Sequence, residues 1–323
     1  MTRRTVLSAL AATAAAQAQP PSRPVEWKPK LGILGPYTEA NVRFAKEDGF
    51  TNMILGATRR STMDANVVTD SQLDAAKQTL AKYQMNVSAF QASQQHIDPD
   101  PAKRKTDNDY FVKLIENAGK MGIPYIGTSS GRDPKLTLEK NVDEIVKVYT
   151  ERYFPACEKN KVRILWEPYP GSLATGTNVA ISPQGFDALF KGFNNSPHVG
   201  LQYDPSHMVW QFMDPIQVAR DYVGQIYDVH LKDTEIRWDV LRKTGINPAG
   251  RGEWHLYRLP GLGSINWAEF FTVLQRAGYQ GAMSLEHEDP LYGSPNRPGP
   301  DFSPDYAKGF SMAHRYLRQY VPD

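Results

Sequence analysis

Residues 266–288 have the sequence NWAEFFTVLQRAGYQGAMSLEHE, in which an amphipathic segment, Asn266–Ala277, precedes a short apolar segment, Gly281–Glu288. The first segment is typical of a helix that buries one face, and the second is typical of a buried strand. The same unit recurs along the chain, because short apolar runs alternate with amphipathic stretches. This alternation predicts parallel strands that are joined by helical crossovers. The predicted strands are Lys30–Gly35, Asn52–Ala57, Asn86–Ser93, Tyr125–Ser129, Val162–Glu167, Val199–Asp204, Ile226–Asp233 and Gly281–Glu288.

The length of the chain suits one closed barrel. It has 323 residues, and a barrel of eight strand and helix pairs typically needs about 250. An open doubly wound sheet is the alternative, but its Gly-rich phosphate fingerprint does not follow the first strand, where Gly32 and Gly35 lie in LGILGP. We therefore predict an α/β fold, a single (β/α)8 TIM barrel, over residues 30–323. The predicted helices include Ser71–Gln84, Asp107–Met121, Leu136–Glu158, Ser182–Phe193 and Asn266–Ala277.

Composition and charge limit the class of protein. With 41% hydrophobic and 22% charged residues, the chain can build a sizeable core and differs from disordered sequences. Its formal charge of +2 gives no global attraction to nucleic acid or to an anionic membrane, so neither partner is predicted. The single cysteine, Cys157, lies in an apolar-periodic stretch and is expected to pack as a small hydrophobic residue.

The N-terminus has the features of an export signal. Arg3-Arg4 precedes an apolar run over residues 6–16 and a small-x-small site that ends at Ala18. We predict a twin-arginine-like signal over residues 1–18, a proline-rich linker over 19–29, and an exported, periplasmic protein. The apolar run is about half the ~20 residues that span a bilayer, so no membrane span is expected in the mature form.

Titratable residues accumulate at the ends of the last four predicted strands. In a barrel, consecutive strand ends lie side by side around the mouth, where active sites form. Because side chains alternate along a strand, we expect His230 to face the interior with Asp228 and Lys232, and Glu286 to do so with Ser284. The strand-end residues are Glu167, Asp204, His207, His230, Lys232, Asp233, Glu286, His287 and Glu288, of which His287 is expected to face outward.

Three carboxylates and one imidazole among these strand-end residues suggest a metal site. Taken alone, Glu167 could cap a helix N-terminus and His230 could be a hydrogen-bonded core histidine. Together, Glu167, Asp204 and Glu286 would repel one another unless a cation neutralised them. We therefore predict a divalent metal held by these carboxylates and His230. Such a ligand set suits Mn2+, our first choice, and also Mg2+, Co2+ or Zn2+.

At these residues the chain resembles the xylose isomerase-like superfamily of sugar isomerases and epimerases, which includes tagatose epimerase-like enzymes. The resemblance is strongest over strands five to eight. It rests on four motifs: YDPSH at Tyr203–His207, HLKD at His230–Asp233, PGLGSINW at Pro260–Trp267, and GYQGAMSLE at Gly278–Glu286. The first half of the chain matches this superfamily only in architecture.

The resemblance implies roles for individual residues. Glu167, Asp204, His230 and Glu286 would bind the metal, and Glu167 and Glu286 would also act as acid and base. His207 would contact a small carbohydrate substrate beside the metal. Lys232, Arg237 and His96 complete the predicted substrate-binding residues.

The expected reaction is isomerisation or epimerisation of a sugar. A base removes the weakly acidic proton next to a carbonyl, and the metal stabilises the enediolate that forms. The same enediolate can expel a group from the next carbon, so a lyase or dehydratase acting on a keto-sugar or keto-glycoside is the alternative. A non-catalytic sugar-binding barrel is the third reading.

Two further questions concern relatives and assembly. An endonuclease-like activity would need an Asp-x-His pair after His230, and the sequence lacks that pair. Residues 234–264 form a long connection that is rich in Arg, Gly and Pro. This connection is expected either to cover the mouth of the barrel and determine substrate specificity, or to form a subunit interface. A homo-oligomer is therefore left open.

Overall fold

The computed structural model describes residues 27–171, 176–250, 252–293 and 299–321. Eight parallel strands close into a barrel in the order β1-β10-β7-β6-β5-β4-β3-β2. The prediction of a single (β/α)8 TIM barrel is therefore confirmed. Two further strands, β8 and β9, lie outside the barrel. The described strands are β1 Lys30–Gly35, β2 Asn52–Gly56, β3 Asn86–Gln91, β4 Tyr125–Thr128, β5 Arg163–Trp166, β6 Val199–Tyr203, β7 Ile226–Leu231, β8 Asp233–Ile236, β9 His255–Arg258 and β10 Ala282–Leu285.

Helices surround the barrel, and short polar side chains start most of them. Thr69 and Gln72 form a capping box at α2, and the carboxylate of Asp100 accepts from two backbone amides at the start of α3. The helices are α1 Glu39–Glu47, α2 Asp70–Lys82, α3 Pro101–Met121, α4 Leu138–Val148, α5 Phe154–Asn160, α6 Pro183–Gly192, α7 Ser206–Trp210, α8 Pro215–Tyr222, α9 Trp238–Thr244, α10 Trp267–Arg276 and α11 Pro304–Leu317. None of the described helices is long and apolar enough to cross a membrane.

The predicted helix Leu136–Glu158 corresponds to a helical stretch that changes its winding in the middle. A π-helical turn, Tyr149–Tyr153, joins α4 to α5 without a break. Pro155 lies at the start of α5. Because proline lacks an amide hydrogen and its ring clashes with the carbonyl four residues earlier, the wider turn accommodates it.

The connection after β7 also differs from its prediction as a loop. β8 and β9 form a separate antiparallel hairpin, and α9 lies between them. Asp233, predicted to end the seventh barrel strand, instead begins this hairpin. Its buried carboxylate accepts hydrogen bonds from the backbone amides of Gly261 and Ile265 and from the indole of Trp267. These bonds join the first residue of the hairpin to the chain that leaves it.

The N-terminal predictions fall almost entirely on residues that the structure does not describe. The export signal, residues 1–18, lies outside the described residues, as does the linker up to residue 26. In the last part of the linker, Trp27 is buried and the amide of Lys28 donates to the side chain of Gln280. The periplasmic location stays a prediction.

Polar side chains fill the barrel interior below its mouth. Asn52 donates to the hydroxyls of Ser88 and Ser284, and Ser88 donates to Asp228. Burial raises the pKa of Asp228 to about 7. Ser284 is in register with His230 on the neighbouring strand, and both are buried. The alternation predicted for β7 and β10 is confirmed, because these side chains meet inside the barrel.

Candidate active site

Four ligand-type side chains converge at the mouth of the barrel. Glu167, Asp204 and Glu286 follow directly after β5, β6 and β10, and His230 lies in β7. One ligand atom from each residue lies within 4.8 Å of the others. Asp204 and His230 are fully buried, whereas the side chains of Glu167 and Glu286 are 13% and 16% exposed. The closed ring of strands therefore brings together residues that are far apart in sequence, as predicted.

Opposite charges hold the carboxylates in the ionised state. Burial raises the pKa of Glu286, but the positive charges of Lys232 and His230 outweigh burial and lower the pKa to about 2. Burial also raises the pKa of Glu167, but the positive charge of His230 and the hydrogen bonds from His207 and His230 lower it well below its usual value. For His230, burial lowers the pKa, while Glu286 and Glu167 raise it well above the ordinary value. The site is therefore a cluster of tightly coupled charges.

The donor set fits a divalent metal ion. Nδ1 of His230 lies 3.1 Å from Glu286, 3.4 Å from Glu167 and 3.9 Å from Asp204. Among the described residues, the buried Nε2 of His230 has no hydrogen-bond partner. Three carboxylates with an imidazole suit Mn2+, Mg2+, Co2+ or Zn2+. These four residues could therefore hold such an ion.

Lys232 supplies the positive charge closest to this cluster. Its ammonium lies 2.6 Å from Glu286, 3.0 Å from Asp204 and 3.0 Å from Glu288. It also lies over the ring of Tyr257, 4.5 Å from the centroid. An ammonium group in this position offers hydrogen bonds to any oxygen that enters the mouth.

A cavity of about 280 Å3 is lined by two of the four ligand-type residues, Glu167 and Glu286. Its walls combine carboxylates, cationic groups, hydroxyls and aromatic rings, which suits a small polar molecule such as a sugar. The residues that line it are Ala92, Ser93, Ser129, Glu167, Tyr169, Thr177, His207, Lys232, Tyr257, Glu286 and Glu288.

Sequence comparison identifies the family of this chain. The family model described as a xylose isomerase-like TIM barrel matches residues 42–309. The chain belongs to the xylose isomerase-like TIM-barrel family. Among similar proteins, the uncharacterized protein YfiH of Bacillus subtilis is 31% identical over 238 residues, which are 66% of this chain and 74% of YfiH. Inosose dehydratase of Clostridium tetani is 35% identical over 101 residues, which are 30% of this chain and 33% of the dehydratase.

Solved structures show the same fold at low sequence identity. The apo 3-keto-D-glucoside 4-epimerase of E. coli aligns with 90% of this chain and 100% of its own, at a TM-score of 0.65 and 15% identity. A D-allulose 3-epimerase from Methylomonas sp., in complex with D-allulose, covers 91% and 98% at a TM-score of 0.66 and 15% identity. The IOLI protein, which holds a zinc atom, covers 91% and 100% at a TM-score of 0.66 and 16% identity.

Two residues expected from the family resemblance to bind substrate are not in the cavity. Both ring nitrogens of His96 have partners, at 2.9 Å to Tyr153 and 3.2 Å to Thr128, and the side chain is fully buried. Arg237 donates to the backbone carbonyl of Glu253 within the connection between β8 and β9. The ring of His96 packs against the rings of Phe111, Tyr149 and Tyr153. Arg237 instead stabilises the connection to which it belongs.

No role was predicted from the sequence for two residues that line the cavity, Glu288 and Tyr257, or for Gln91, which contacts the site from below the cavity wall. Glu288 lies two positions after Glu286, so the alternation that predicted Glu286 could have identified it. Tyr257 comes from β9, which was predicted as loop. Gln91, at the end of β3, donates to Glu167 at 2.6 Å, and its sequence neighbourhood carries no signal of that contact.

His96 makes stability depend on pH. Burial lowers its pKa from 6.5 to about 3. Below pH 6.5 the unfolded state therefore binds a proton that the folded state does not, and stability falls as pH falls toward 3. We expect His96 to account for about 2 kcal/mol of lost unfolding free energy between pH 7 and pH 5.

Urea denaturation of the wild type and His96→Gln at the two pH values measures this contribution. The variant is expected to lose less stability than the wild type on acidification. His198→Gln, at a half-buried position before β6, is the matched control. It is expected to lose as much unfolding free energy between pH 7 and pH 5 as the wild type. Equal losses in the wild type and His96→Gln would contradict the assignment.

Proposed function

We propose that the protein is a divalent-metal-dependent sugar isomerase or epimerase that moves a proton at the carbon next to a carbonyl group. One observation carries the proposal: Glu167 and Glu286 both line the cavity and share the four-residue cluster with Asp204 and His230. A carboxylate in contact with the substrate can act as general base or, once protonated, as general acid. Family membership and the sugar epimerases among the structural neighbours support the same class.

The two glutamates approach the cavity from different sides. Glu167 follows β5 and Glu286 follows β10, and β6 and β7 separate these strands in the barrel. A proton removed by one carboxylate can therefore return from the other, which inverts the carbon and gives an epimer. Return of the proton to the neighbouring carbon gives an isomer instead.

Neighbouring side chains hold both carboxylates in place. The amide of Gln91 donates to Oε2 of Glu167, and Lys232 donates to Oε2 of Glu286. Each contact fixes one carboxylate oxygen while leaving the group at the cavity wall. Fixed orientation of the base lowers the cost of reaching the reactive geometry.

A divalent cation, for which Mn2+ is the first choice, would supply a Lewis acid that stabilises negative charge on the substrate oxygens. Glu167, Asp204, His230 and Glu286 would hold it. His207 and Lys232 would bind the oxygens of a small carbohydrate through hydrogen bonds. The exposed side of the Tyr169 ring, at the rim of the same cavity, would pack on the sugar.

A lyase or dehydratase is the second candidate. It is favoured by Glu288, a fourth acidic side chain beside Glu167, Asp204 and Glu286. Glu288 lines the cavity and pairs with Lys232. A carboxyl group there would be placed to assist a leaving group on the next carbon. The matches to inosose dehydratases point the same way, although they cover about a third of those enzymes.

Deuterium exchange tests the proposal. A panel of keto-sugars and keto-glycosides is incubated in heavy water with the Mn2+-supplemented protein, and products are followed by NMR and mass spectrometry. We expect deuterium at the carbon next to the carbonyl, together with a new epimer or isomer. Exchange with loss of water or of an aglycone would establish the lyase, and sugar binding without exchange would refute catalysis.

A further inference from the structure

The two nitrogens of His207 face different groups. Nδ1 lies 3.3 Å from the indole nitrogen of Trp210 and 3.2 Å from the hydroxyl of Tyr257. Nε2 lies 3.3 Å from Asp204, 3.5 Å from Glu167 and 3.5 Å from the ammonium nitrogen of Lys232. The ring is 1% exposed, so water does not decide which nitrogen carries the proton. The protein groups around the ring must decide it.

The contact with Trp210 has only one chemically consistent form. An indole N–H is a donor and never an acceptor, so Nδ1 of His207 must accept this hydrogen bond. The hydroxyl of Tyr257 can either donate or accept, and it is therefore compatible with both forms of the ring. A neutral imidazole has one donor and one acceptor nitrogen, so the proton lies on Nε2. That nitrogen then donates toward the carboxylates, which are acceptors. The ammonium of Lys232 does not contradict this, because its three N–H donors have three nearer acceptors, at 2.6 Å on Glu286 and at 3.0 Å on Asp204 and Glu288.

Local structure holds Trp210 in the position that this contact needs. His207 and Trp210 are three residues apart in α7, so their side chains lie on the same side of the helix. The indole stacks on His255 of β9, with centroids 4.9 Å apart and planes at 8°, and it also contacts Trp254 by its edge. Trp210 is 6% exposed. These contacts therefore hold the indole next to His207.

We propose that Trp210 is a positioning residue that fixes His207 as the neutral tautomer with its proton on Nε2. In this state His207 presents a hydrogen-bond donor to the cluster and the cavity, and it cannot accept a proton there. His207 then favours a substrate with an oxygen acceptor at this point, and proton removal is left to Glu167 and Glu286. The statement about substrate rests on the proposed function, whereas the tautomer does not.

Nitrogen NMR of the histidine rings tests the tautomer directly. The protein is labelled with 15N-histidine and loaded with Mg2+, which is diamagnetic, at pH 7.5 and without substrate. The His207 signals are identified by their loss in His207→Gln. We expect Nδ1 at the pyridine-like position of an unprotonated nitrogen and Nε2 at the pyrrole-like position. The reverse assignment, or two protonated nitrogens, in the wild type would overturn the proposal without any variant.

Two matched variants test the cause. Trp210→Phe removes the indole N–H and keeps an aromatic ring in the stack. We expect its Nδ1 signal to move from the pyridine-like position toward the pyrrole-like one. Tyr257→Phe removes the other partner of Nδ1 and is expected to keep the wild-type tautomer. A wild-type spectrum in Trp210→Phe, or a changed tautomer only in Tyr257→Phe, would overturn the role of Trp210.

This readout separates the inference from the proposed function. The tautomer is measured without substrate, so an absence of deuterium exchange would refute catalysis while leaving the tautomer result standing. Conversely, exchange in a wild type that shows the other tautomer would support catalysis and refute the role of Trp210. Circular dichroism of each variant verifies that the barrel remains folded.

Discussion

Replacement of Glu286 with Gln is expected to abolish deuterium exchange into the substrate while the barrel stays folded. A side-chain amide cannot take up the proton that the carboxylate removes, and loss of a general base typically costs about 10²–10⁴-fold in rate. The amide keeps the size of the carboxyl group, and its oxygen can still accept the hydrogen bond that Lys232 donates. NMR measurement of exchange at saturating sugar, with circular dichroism for the fold, gives the comparison.

A control and a metal analysis make the result of Glu286→Gln interpretable. Glu269→Gln changes a half-exposed glutamate on α10 that pairs with Arg220, far from the cavity walls, and it is expected to exchange like the wild type. Because Glu286 also belongs to the metal-ligand group, the metal content of the variant must be measured. Unchanged exchange in Glu286→Gln with metal retained would eliminate Glu286 as acid or base.

Removal of divalent ions by a chelator is expected to stop exchange and to leave the protein folded. Exchange should fall at least about 10²-fold, because stabilisation of a developing oxyanion contributes on this scale. The fold should survive because Lys232 and His230 already neutralise part of the acidic cluster. Exchange rates and thermal melting before and after chelation, and after Mn2+ is restored, measure the two effects separately.

The chelation experiment has a clear contrary outcome. Elemental analysis that finds no divalent ion in active protein, with exchange untouched by chelator, would remove metal dependence altogether. Parallel restoration with Mg2+, Co2+ and Zn2+ ranks the ions that these four ligands accept. Collapse of the fold on chelation would instead assign the ion a structural role, as in sites where metal binding supplies folding energy.

The barrel could be predicted because its signal is repeated and local. Each strand is a short apolar run, and side-chain alternation in β7 and β10 places His230 and Glu286 on the inner face whatever the rest of the chain does. The predicted helix at 107–121 began too late, because Asp100 and Pro101 start α3 six residues earlier. That start could have been recognised, since Asp at the cap followed by Pro is a standard helix signal.

The residues around the four-member cluster were harder to predict because their positions depend on long-range packing. Gln91 reaches Glu167 only because β3 and β5 both face the same interior space. Gly127 on the intervening β4 leaves room there, since a side chain at this position would collide with Gln91 and Gln202. Tyr257 depends on a hairpin whose strands have four residues each, which is too short for a reliable pattern.

The bonds of Asp233 have a consequence for how this protein can diversify. They join the residue that begins the β8–β9 excursion to the chain that leaves it, so both ends of the excursion are held together. Its length between β8 and β9 can change without moving β7, which carries His230, or β10, which precedes Glu286. The side chains of β9 are less free to change, because His255 stacks on Trp210 and Tyr257 contacts His207. An excursion exchanged between relatives must therefore keep these two contacts.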